Sequence, residues 1–183
     1  MLPLNKINQE WTLFLDRDGV INHEARDSYI NTWDEFKFYE NVPEALAILA
    51  EKFSRINMVT NQRGVGKVIM KESDLHDIHH NMLAEILKQK GRVDSIYYCT
   101  DINDDSPRRK PNPGMGLQAT LDFPEIDLSR SLIVGNRLTD MAFGRNLGIH
   151  TVFLTTTHPE TDPAHQSIDA VFPTLHAFAL ALP

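Results

Sequence analysis

Two carboxylates stand two residues apart near the start of the chain, in the stretch FLDRDGVIN of residues 14–22. The apolar run before them, Trp11 to Leu15, is typical of a buried strand, and ligands of open α/β sheets bind just beyond the carboxyl ends of strands. Two neighbouring acids raise each other's pKa, and Mg²⁺ relieves that repulsion because it binds carboxylates together with substrate phosphate oxygens. We therefore interpret Asp16 as a nucleophile and Asp18 as a general acid/base beside a magnesium ion. A strand-end turn is the alternative, since Asp and Gly are common in turns for backbone reasons.

Three more polar segments each follow a predicted strand. The second strand, Arg55 to Thr60, leads into the segment TNQRGVGK of residues 60–67. Its hydroxyl, amide and backbone N–H groups suit a phosphoryl group, and Arg63 and Lys67 would add positive charge there. An ordinary turn with exposed bases is the alternative, and the loop alone does not decide between the two.

The third and fourth strands also end in charged segments. After the third, residues 94–99, a polar loop leads to Arg109 and Lys110, and the prolines that follow restrain the backbone at the start of a helix. A restrained lysine aimed at the carboxylate pair would neutralise it and hold a transferring phosphate, whereas a solvated basic turn is the alternative. The fourth strand, residues 131–135, leads into Asn136, Arg137 and Asp140.

The elements that must position these residues alternate along the chain. Strands are predicted at residues 11–15, 55–60, 94–99, 131–135, 150–154 and 169–172, and helices at 42–53, from a Ser73 cap to Gly91, at 112–121, from Asp140 to Gly148, and at 174–182. Such alternation predicts an α/β fold, a three-layer Rossmann-like parallel sheet with helices on both faces. We expect one domain across residues 1–183. If the strands are parallel, all four polar segments lie on the same edge of the sheet.

Two further segments carry residues of interest. The polar stretch of residues 23–38 has no sustained period, and a segment of this length is often a lid or binding loop. Its aromatic residues, including Tyr29, would face a substrate or, as is more common, pack the loop onto the domain. Three histidines on the second predicted helix, His76, His79 and His80, lack the Glu pattern of a zinc hydrolase, which argues against a metal role.

Composition limits the classes of function. The chain has 183 residues, 42% of them hydrophobic, and a formal net charge of −7, which is ordinary for a globular domain. No basic patch suggests nucleic acid, and no apolar run has the length of a membrane span or a signal peptide. Cys99 is the only cysteine, so an intrachain disulfide cannot form. We expect a soluble, cytoplasmic protein, and nothing demands more than a monomer.

Taken together, four motifs resemble those of the haloacid dehalogenase (HAD) superfamily of phosphatases. They are DxDG at residues 16–19, Thr-Asn at residues 60–61, Lys110, and the segment from Gly135 to Asp140. The stretches DRDGVIN, VTNQ and RKPNPGM are similar to the capless branch that holds D-glycero-D-manno-heptose-1,7-bisphosphate phosphatase and histidinol-phosphatase. The resemblance implies an HAD-like fold without a large cap domain.

The resemblance also implies roles for the matched residues. Asp16 would form an aspartyl-phosphate, Asp18 would protonate the leaving alcohol and then deprotonate the hydrolytic water, and Lys110 would stabilise the phosphoryl group and the nucleophile. Thr60 and Asn61 would hold phosphate oxygens, Arg109 would recognise the substrate, and Tyr29 and Arg137 would help to bind it. Magnesium would be held by Asp16, by the backbone carbonyl of Asp18 and by Asn136.

Two departures from the family pattern affect these expectations. The branch usually carries an Asp at the position of Asn136, and an amide offers magnesium an oxygen without charge, so we expect weaker metal binding and slower turnover. Close relatives also bind zinc in a loop before Arg-Lys-Pro. A structural zinc needs four good ligands, and the four positions are occupied here by Cys99, Asp101, Ser106 and Arg108. We therefore expect no zinc and an altered substrate preference.

The function predicted from the resemblance is a Mg²⁺-dependent phosphomonoesterase acting on a small phosphorylated metabolite. A sugar phosphate such as heptose bisphosphate is the first candidate substrate, histidinol phosphate the second, and an unrelated phosphate ester the third. The alternative from another class is a catalytically weakened relative that binds phosphate ligands or a partner.

Overall fold

The computed structural model describes residues 2–25 and 28–183. A sheet of six parallel strands forms its centre, in the order β3-β2-β1-β4-β5-β6. The strands are β1 (Thr12–Leu15), β2 (Arg55–Asn61), β3 (Ser95–Cys99), β4 (Ser131–Gly135), β5 (His150–Leu154) and β6 (Ala170–Phe172). Because every pair of neighbouring strands is parallel, all carboxyl ends share one edge, which confirms the predicted fold class.

Among the described residues, six α-helices connect or flank the strands. They are α1 (Val42–Lys52), α2 (Arg63–Gly66), α3 (Glu72–Lys88), α4 (Gly114–Asp122), α5 (Leu138–Leu147) and α6 (Leu175–Leu180). None of the helices within the described residues is long and apolar enough to cross a membrane.

The helices cover both faces of the sheet, because alternate residues of each strand point to opposite faces. On β1, Leu13 and Leu15 pack with α1, α3 and α6 in one core, whereas Phe14 packs with α4 and α5 in the other. All three side chains are fully buried. The two-sided burial explains why the strands are short continuous apolar runs, and it gives the three layers expected from the sequence.

Two predicted helix ends are wrong in detail. The cap of α3 is Lys71, whose backbone N–H donates to the Asp74 carboxylate at 3.0 Å, so Ser73 lies inside the first turn. At the other end the residue with a left-handed backbone is Lys90, at φ 65°, and not Gly91. Gly91 is needed for close packing instead, since a Cβ there would lie 2.9 Å from Ile86 Cγ2.

The polar segment after β2 is also more ordered than predicted. We expected a loop over residues 60–67, and the chain instead forms the single helical turn α2. Gly64 is buried in this turn, and a Cβ there would lie 3.1 Å from Tyr29 Cγ. The turn therefore packs directly against the segment that follows β1.

Candidate active site

The four polar segments meet at the carboxyl edge of the sheet. They line one open cleft of about 580 Å³. Its walls include Asp16, Asp18, Tyr29, Thr60, Asn61, Arg109, Lys110, Arg137 and Asp140. The structure therefore brings together nearly all the residues that the sequence identified, although they are as far as 124 positions apart along the chain (Asp140 minus Asp16).

A buried lysine joins two carboxylates at the floor of the cleft. The Lys110 ammonium lies 2.9 Å from Asp16 Oδ1 and 2.6 Å from Asp140 Oδ1. Burial alone would lower the pKa of Lys110, but the carboxylates of Asp140 and Asp16 raise it above its ordinary value. Lys110 is thus a permanent cation in contact with the Asp16 carboxyl group.

Burial has the opposite effect on Asp16. It raises the pKa of this carboxyl to about 7, against the attraction of Lys110, and the charges of Asp140 and Asp18 add to the rise. At pH 7 this carboxyl is therefore only partly ionised, and a second cation beside it would favour the carboxylate. The floor of the cleft is therefore short of positive charge despite Lys110.

Asp18 is held by a dense set of donors. Arg17 donates from Nη2 to both carboxylate oxygens, at 3.0 and 3.1 Å, and Asn22 and Gln62 each donate a side-chain bond of 2.9 Å. Burial would raise the pKa of Asp18, but Arg17 and these hydrogen bonds outweigh it and hold the pKa below its usual range. Asp18 is therefore ionised and fixed in orientation.

Arg17, between the two acids, has a side chain only 1% exposed. Besides Asp18, its guanidinium donates from Nη1 to His79 Nε2 of α3 at 3.2 Å. Burial and the Arg17 charge lower the pKa of His79 to about 3, so the imidazole is neutral and accepts this bond. The orientation of Asp18 thus depends on a helix that does not itself line the cleft.

The residues at the end of β2 hold other parts of the site in place. The Asn61 side chain donates to the Lys110 carbonyl and accepts from the Lys110 backbone N–H, both at 3.0 Å. Its amide therefore fixes the lysine segment. Thr60 is buried, and its hydroxyl accepts a 2.9 Å bond from Gln62.

Charged residues form the upper walls of the cleft. On one side Asp104 lies between Arg63 and Arg109, with Oδ1 contacting both guanidinium groups. On the other side Arg137 donates to Glu24 at 2.9 Å. A further wall includes Tyr29, whose ring centroid lies 5.6 Å from the Lys67 ammonium. The cleft thus combines acids at its floor with bases around its mouth, and the bases would attract a phosphorylated ligand.

The residues at the edge of β4 suit a hard cation. Asn136 is fully buried, and its Nδ2 donates to the Thr157 hydroxyl at 2.6 Å, whereas its Oδ1 has no hydrogen-bond partner. A buried carbonyl oxygen without a partner is costly, and a metal ion would satisfy it. Within residues 2–25 and 28–183, no three His, Cys, Asp or Glu side chains form a metal cluster, so a site here would combine the Asp16 carboxylate with neutral oxygens, as Mg²⁺ accepts.

The loop before Arg109 forms a hydrogen-bonded group at the four positions discussed for zinc. Cys99 Sγ donates to Asp101 Oδ2 at 3.6 Å, and Ser106 Oγ contacts the same oxygen. Arg108 donates to the Tyr98 carbonyl at 3.3 Å. Cys99, Asp101 and Ser106 therefore bond to one another and Arg108 bonds to the backbone, and the absence of zinc stays a prediction.

Sequence reasoning missed several residues that act on the site through others. Three of them donate hydrogen bonds to Asp18, namely Arg17, Asn22 and Gln62. The fourth, His79, accepts a hydrogen bond from Arg17. Arg17, Asn22 and Gln62 lie within the motifs DRDGVIN and VTNQ, although no role was assigned to them, whereas His79 was considered only as a metal ligand. Asp104 was also missed, since its polar loop shows no pattern.

Comparisons with known proteins identify relatives of this chain. The model of the HAD-hydrolase-like family matches residues 107–178. Over 166 residues the chain is 32% identical to a D-glycero-D-manno-heptose-1,7-bisphosphate 7-phosphatase of Chlorobaculum tepidum, covering 84% of this chain and 83% of that protein. It is 35% identical over 142 residues to the D-glycero-alpha-D-manno-heptose-1,7-bisphosphate 7-phosphatase of Campylobacter jejuni, covering 78% and 80%.

A solved structure shows the same architecture. The D,D-heptose 1,7-bisphosphate phosphatase from B. bronchiseptica, crystallised with magnesium and phosphate, superposes with a TM-score of 0.84 at 26% identity. The match covers 93% of this chain and 96% of that one. The fold and the relatives therefore indicate the same family.

Proposed function

The chain belongs to the HAD family of hydrolases, and from that premise we propose that it is a magnesium-dependent phosphomonoesterase acting on a small sugar phosphate. Heptose 1,7-bisphosphate is the first candidate substrate, because relatives at 32% and 35% identity are named for its hydrolysis. The contact of the buried Lys110 ammonium with Asp16, at 2.9 Å, carries the proposal. It places a cation beside the carboxylate that would attack phosphorus.

The first half of the proposed reaction transfers the phosphoryl group to the protein. A carboxylate oxygen of Asp16 bonds to phosphorus while the bond from phosphorus to the sugar oxygen breaks. Asp18, which is ionised in the free protein, takes up a proton from solvent when the substrate binds and gives it to the sugar oxygen, which leaves as an alcohol. Asp16 then carries an acyl phosphate.

The second half releases phosphate. A water oxygen bonds to phosphorus and gives a proton to Asp18, and the bond from phosphorus to Asp16 breaks. Asp18 then returns this proton to solvent. The nucleophile and the acid are thereby back in their starting states, and one ester and one water have given one alcohol and one phosphate. Arg17, Asn22 and Gln62 hold the Asp18 carboxylate in place for this step.

Charge compensation supports both halves, because phosphoryl transfer depends mainly on positioning and electrostatics. Lys110 offsets negative charge on Asp16 and on the phosphoryl oxygens, and Asp140 and the Asn61 amide hold that lysine. A magnesium ion bound by Asp16, the Asp18 backbone carbonyl and Asn136 would supply further positive charge. Phosphate oxygens would bind Thr60, and the rest of the substrate would meet Arg109, Tyr29 and Arg137.

Two other functions are kept as candidates. Histidinol phosphate is the second candidate substrate, since the sequence resembles a branch that includes its phosphatase. A catalytically weakened phosphate-binding protein is supported by Asn136, which removes a negative charge from the metal site. Both predict slow release of phosphate from heptose 1,7-bisphosphate.

Phosphate release with and without Mg²⁺ tests the proposal. Wild-type protein and Asp16→Asn should be compared on heptose 1,7-bisphosphate, histidinol phosphate and a generic aryl phosphate. We expect Mg²⁺-dependent turnover of the heptose ester that Asp16→Asn lowers by at least about a thousandfold. Wild-type rates no faster than those of Asp16→Asn on every ester would overturn the enzyme proposal.

A further inference from the structure

Each arginine of residues 2–25 and 28–183 that lines the cleft is already paired with a carboxylate of the same chain. The pairs are Arg17 with Asp18, Arg63 and Arg109 with Asp104, and Arg137 with Glu24. A substrate anion that approaches these arginines therefore competes with a carboxylate that is already there. The consequence differs between the pairs according to how easily the carboxylate can be displaced.

Asp104 is the exposed member of this set. Its side chain is 81% exposed, whereas Glu24 is 16% exposed and Asp18 28%. A single oxygen, Asp104 Oδ1, contacts Arg63 and also Arg109 Nε, the latter at 3.0 Å. One carboxylate thus neutralises two cations on the same wall of the cleft.

The backbone around Asp104 keeps that carboxylate in the cleft. The Asn112 side chain donates to the Asp104 carbonyl at 3.3 Å and to the Ser106 carbonyl at 2.9 Å. Arg109 in turn donates to the Asp101 carbonyl at 3.4 Å. The loop is therefore tied to the segment that carries Arg109, while the Asp104 side chain remains open to solvent.

We propose that Asp104 is a specificity-determining residue, which occupies Arg63 and Arg109 in place of a second substrate phosphate and so reduces the preference for bisphosphates over monophosphates. A distal phosphate must displace the carboxylate before it can bind the two arginines, whereas an uncharged distal hydroxyl need not. The proposal rests on the proposed function, since it concerns the part of the substrate that is not cleaved.

The matched test is Asp104→Asn on two substrates with the same scissile phosphate. Heptose 1,7-bisphosphate and heptose 7-phosphate differ only in the second phosphate. We expect the ratio of their kcat/KM values to rise about five- to tenfold in Asp104→Asn, because two exposed ion pairs of modest strength are released. The change should lie in the KM of the bisphosphate, with kcat within about twofold of wild type.

Asp105→Asn is the matched control. It removes the same charge from the neighbouring residue, whose carboxylate makes no ion pair with a described residue. We expect its ratio to equal that of wild type. The double variant Arg63→Gln/Asp104→Asn should lose most of the gain, since one of the two released arginines is gone.

Binding measurements on inactive variants give a second, independent test of the role of Asp104. Calorimetry on Asp16→Asn and on Asp16→Asn/Asp104→Asn, with the same two heptose phosphates, should show the same change in the affinity ratio. An inactive wild type would overturn the proposed function and leave this measurement decisive for Asp104. An unchanged or lower ratio in Asp104→Asn, or an equal rise in Asp105→Asn, would overturn the inference about Asp104.

Discussion

Asn136 lies at the end of β4, where we propose that magnesium binds. Its Oδ1 is buried without a hydrogen-bond partner while its Nδ2 bonds to Thr157. Gly19, whose φ is 85°, passes so close that a Cβ would lie 1.9 Å from Asn136 Nδ2. The backbone after Asp18 is therefore packed onto this amide, and only glycine fits there.

Asn136→Asp is expected to tighten Mg²⁺ binding about ten- to a hundredfold, because a charge replaces a neutral oxygen close to the cation. Thermal unfolding across a Mg²⁺ titration measures the affinity through the stabilisation of the folded state. In the absence of Mg²⁺ the variant should unfold at a lower temperature than wild type, since a third acid joins Asp16 and Asp18. Equal Mg²⁺ affinity in the two proteins would show that Asn136 does not contact the metal.

At the scale of elements, α3 supports the end of β1 through Arg17 and His79. The groups that face His79 are the charges of Arg17 and Asp18, the neighbouring His76 and the ring of Tyr98, whose centroid is 6.0 Å away. Its folded pKa of about 3 lies below the ordinary value of 6.5. Below pH 6.5 an unfolded His79 binds a proton that the folded protein excludes, so stability falls as the pH falls towards 3.

His79→Gln is therefore expected to reduce the loss of stability in acid. Between pH 6.5 and pH 5 the wild type should lose about 1 to 2 kcal/mol more than the variant, because each pH unit below the unfolded pKa costs about 1.4 kcal/mol. Urea unfolding of both proteins at pH 6.5 and at pH 5 measures this difference. His80→Gln, on the exposed side of α3, is the control and should follow wild type. If the free energy of unfolding fell equally with pH in wild type and in His79→Gln, the low pKa of His79 in the folded protein would be contradicted.

At the scale of the whole molecule, Lys110 connects segments that are distant in sequence. Its ammonium joins the end of β1 to the first turn of α5, and its backbone is held by Asn61 at the end of β2. These contacts fix the shared edge of three neighbouring strands. The same charges that would serve the reaction thus also hold the carboxyl edge of the sheet together.

Lys110→Met is expected to destabilise the folded protein by about 3 kcal/mol, because it leaves Asp16 and Asp140 as buried carboxylates without their cation. Denaturant unfolding at pH 7 measures the change. The double variant Lys110→Met/Asp140→Asn should recover part of the loss, since one unpaired charge is removed. Equal stability of Lys110→Met and wild type would mean that the three groups are not coupled as the distances indicate.

The sequence by itself determined the class of fold and the floor of the cleft. Strands buried on both faces appear as apolar runs, and β4 and β5 have the predicted bounds. Functional residues of such sheets follow strand ends, so Asp16, Lys110 and Asp140 were identified by position. Helix ends were less well predicted, because Lys71 and Lys90 hold places that local propensity assigns to Ser and Gly.

Tertiary structure alone decided which charges are paired. Arg17 is a buried donor to Asp18 and His79, and Asp104 is an exposed acceptor for Arg63 and Arg109. Nothing in the local sequence distinguishes these residues from solvated ones, because the energy of a charge depends on its burial and on partners brought close by folding. The sequence therefore specified which groups reach the cleft. The packing of distant segments decided how far each group is buried and which charge it is paired with.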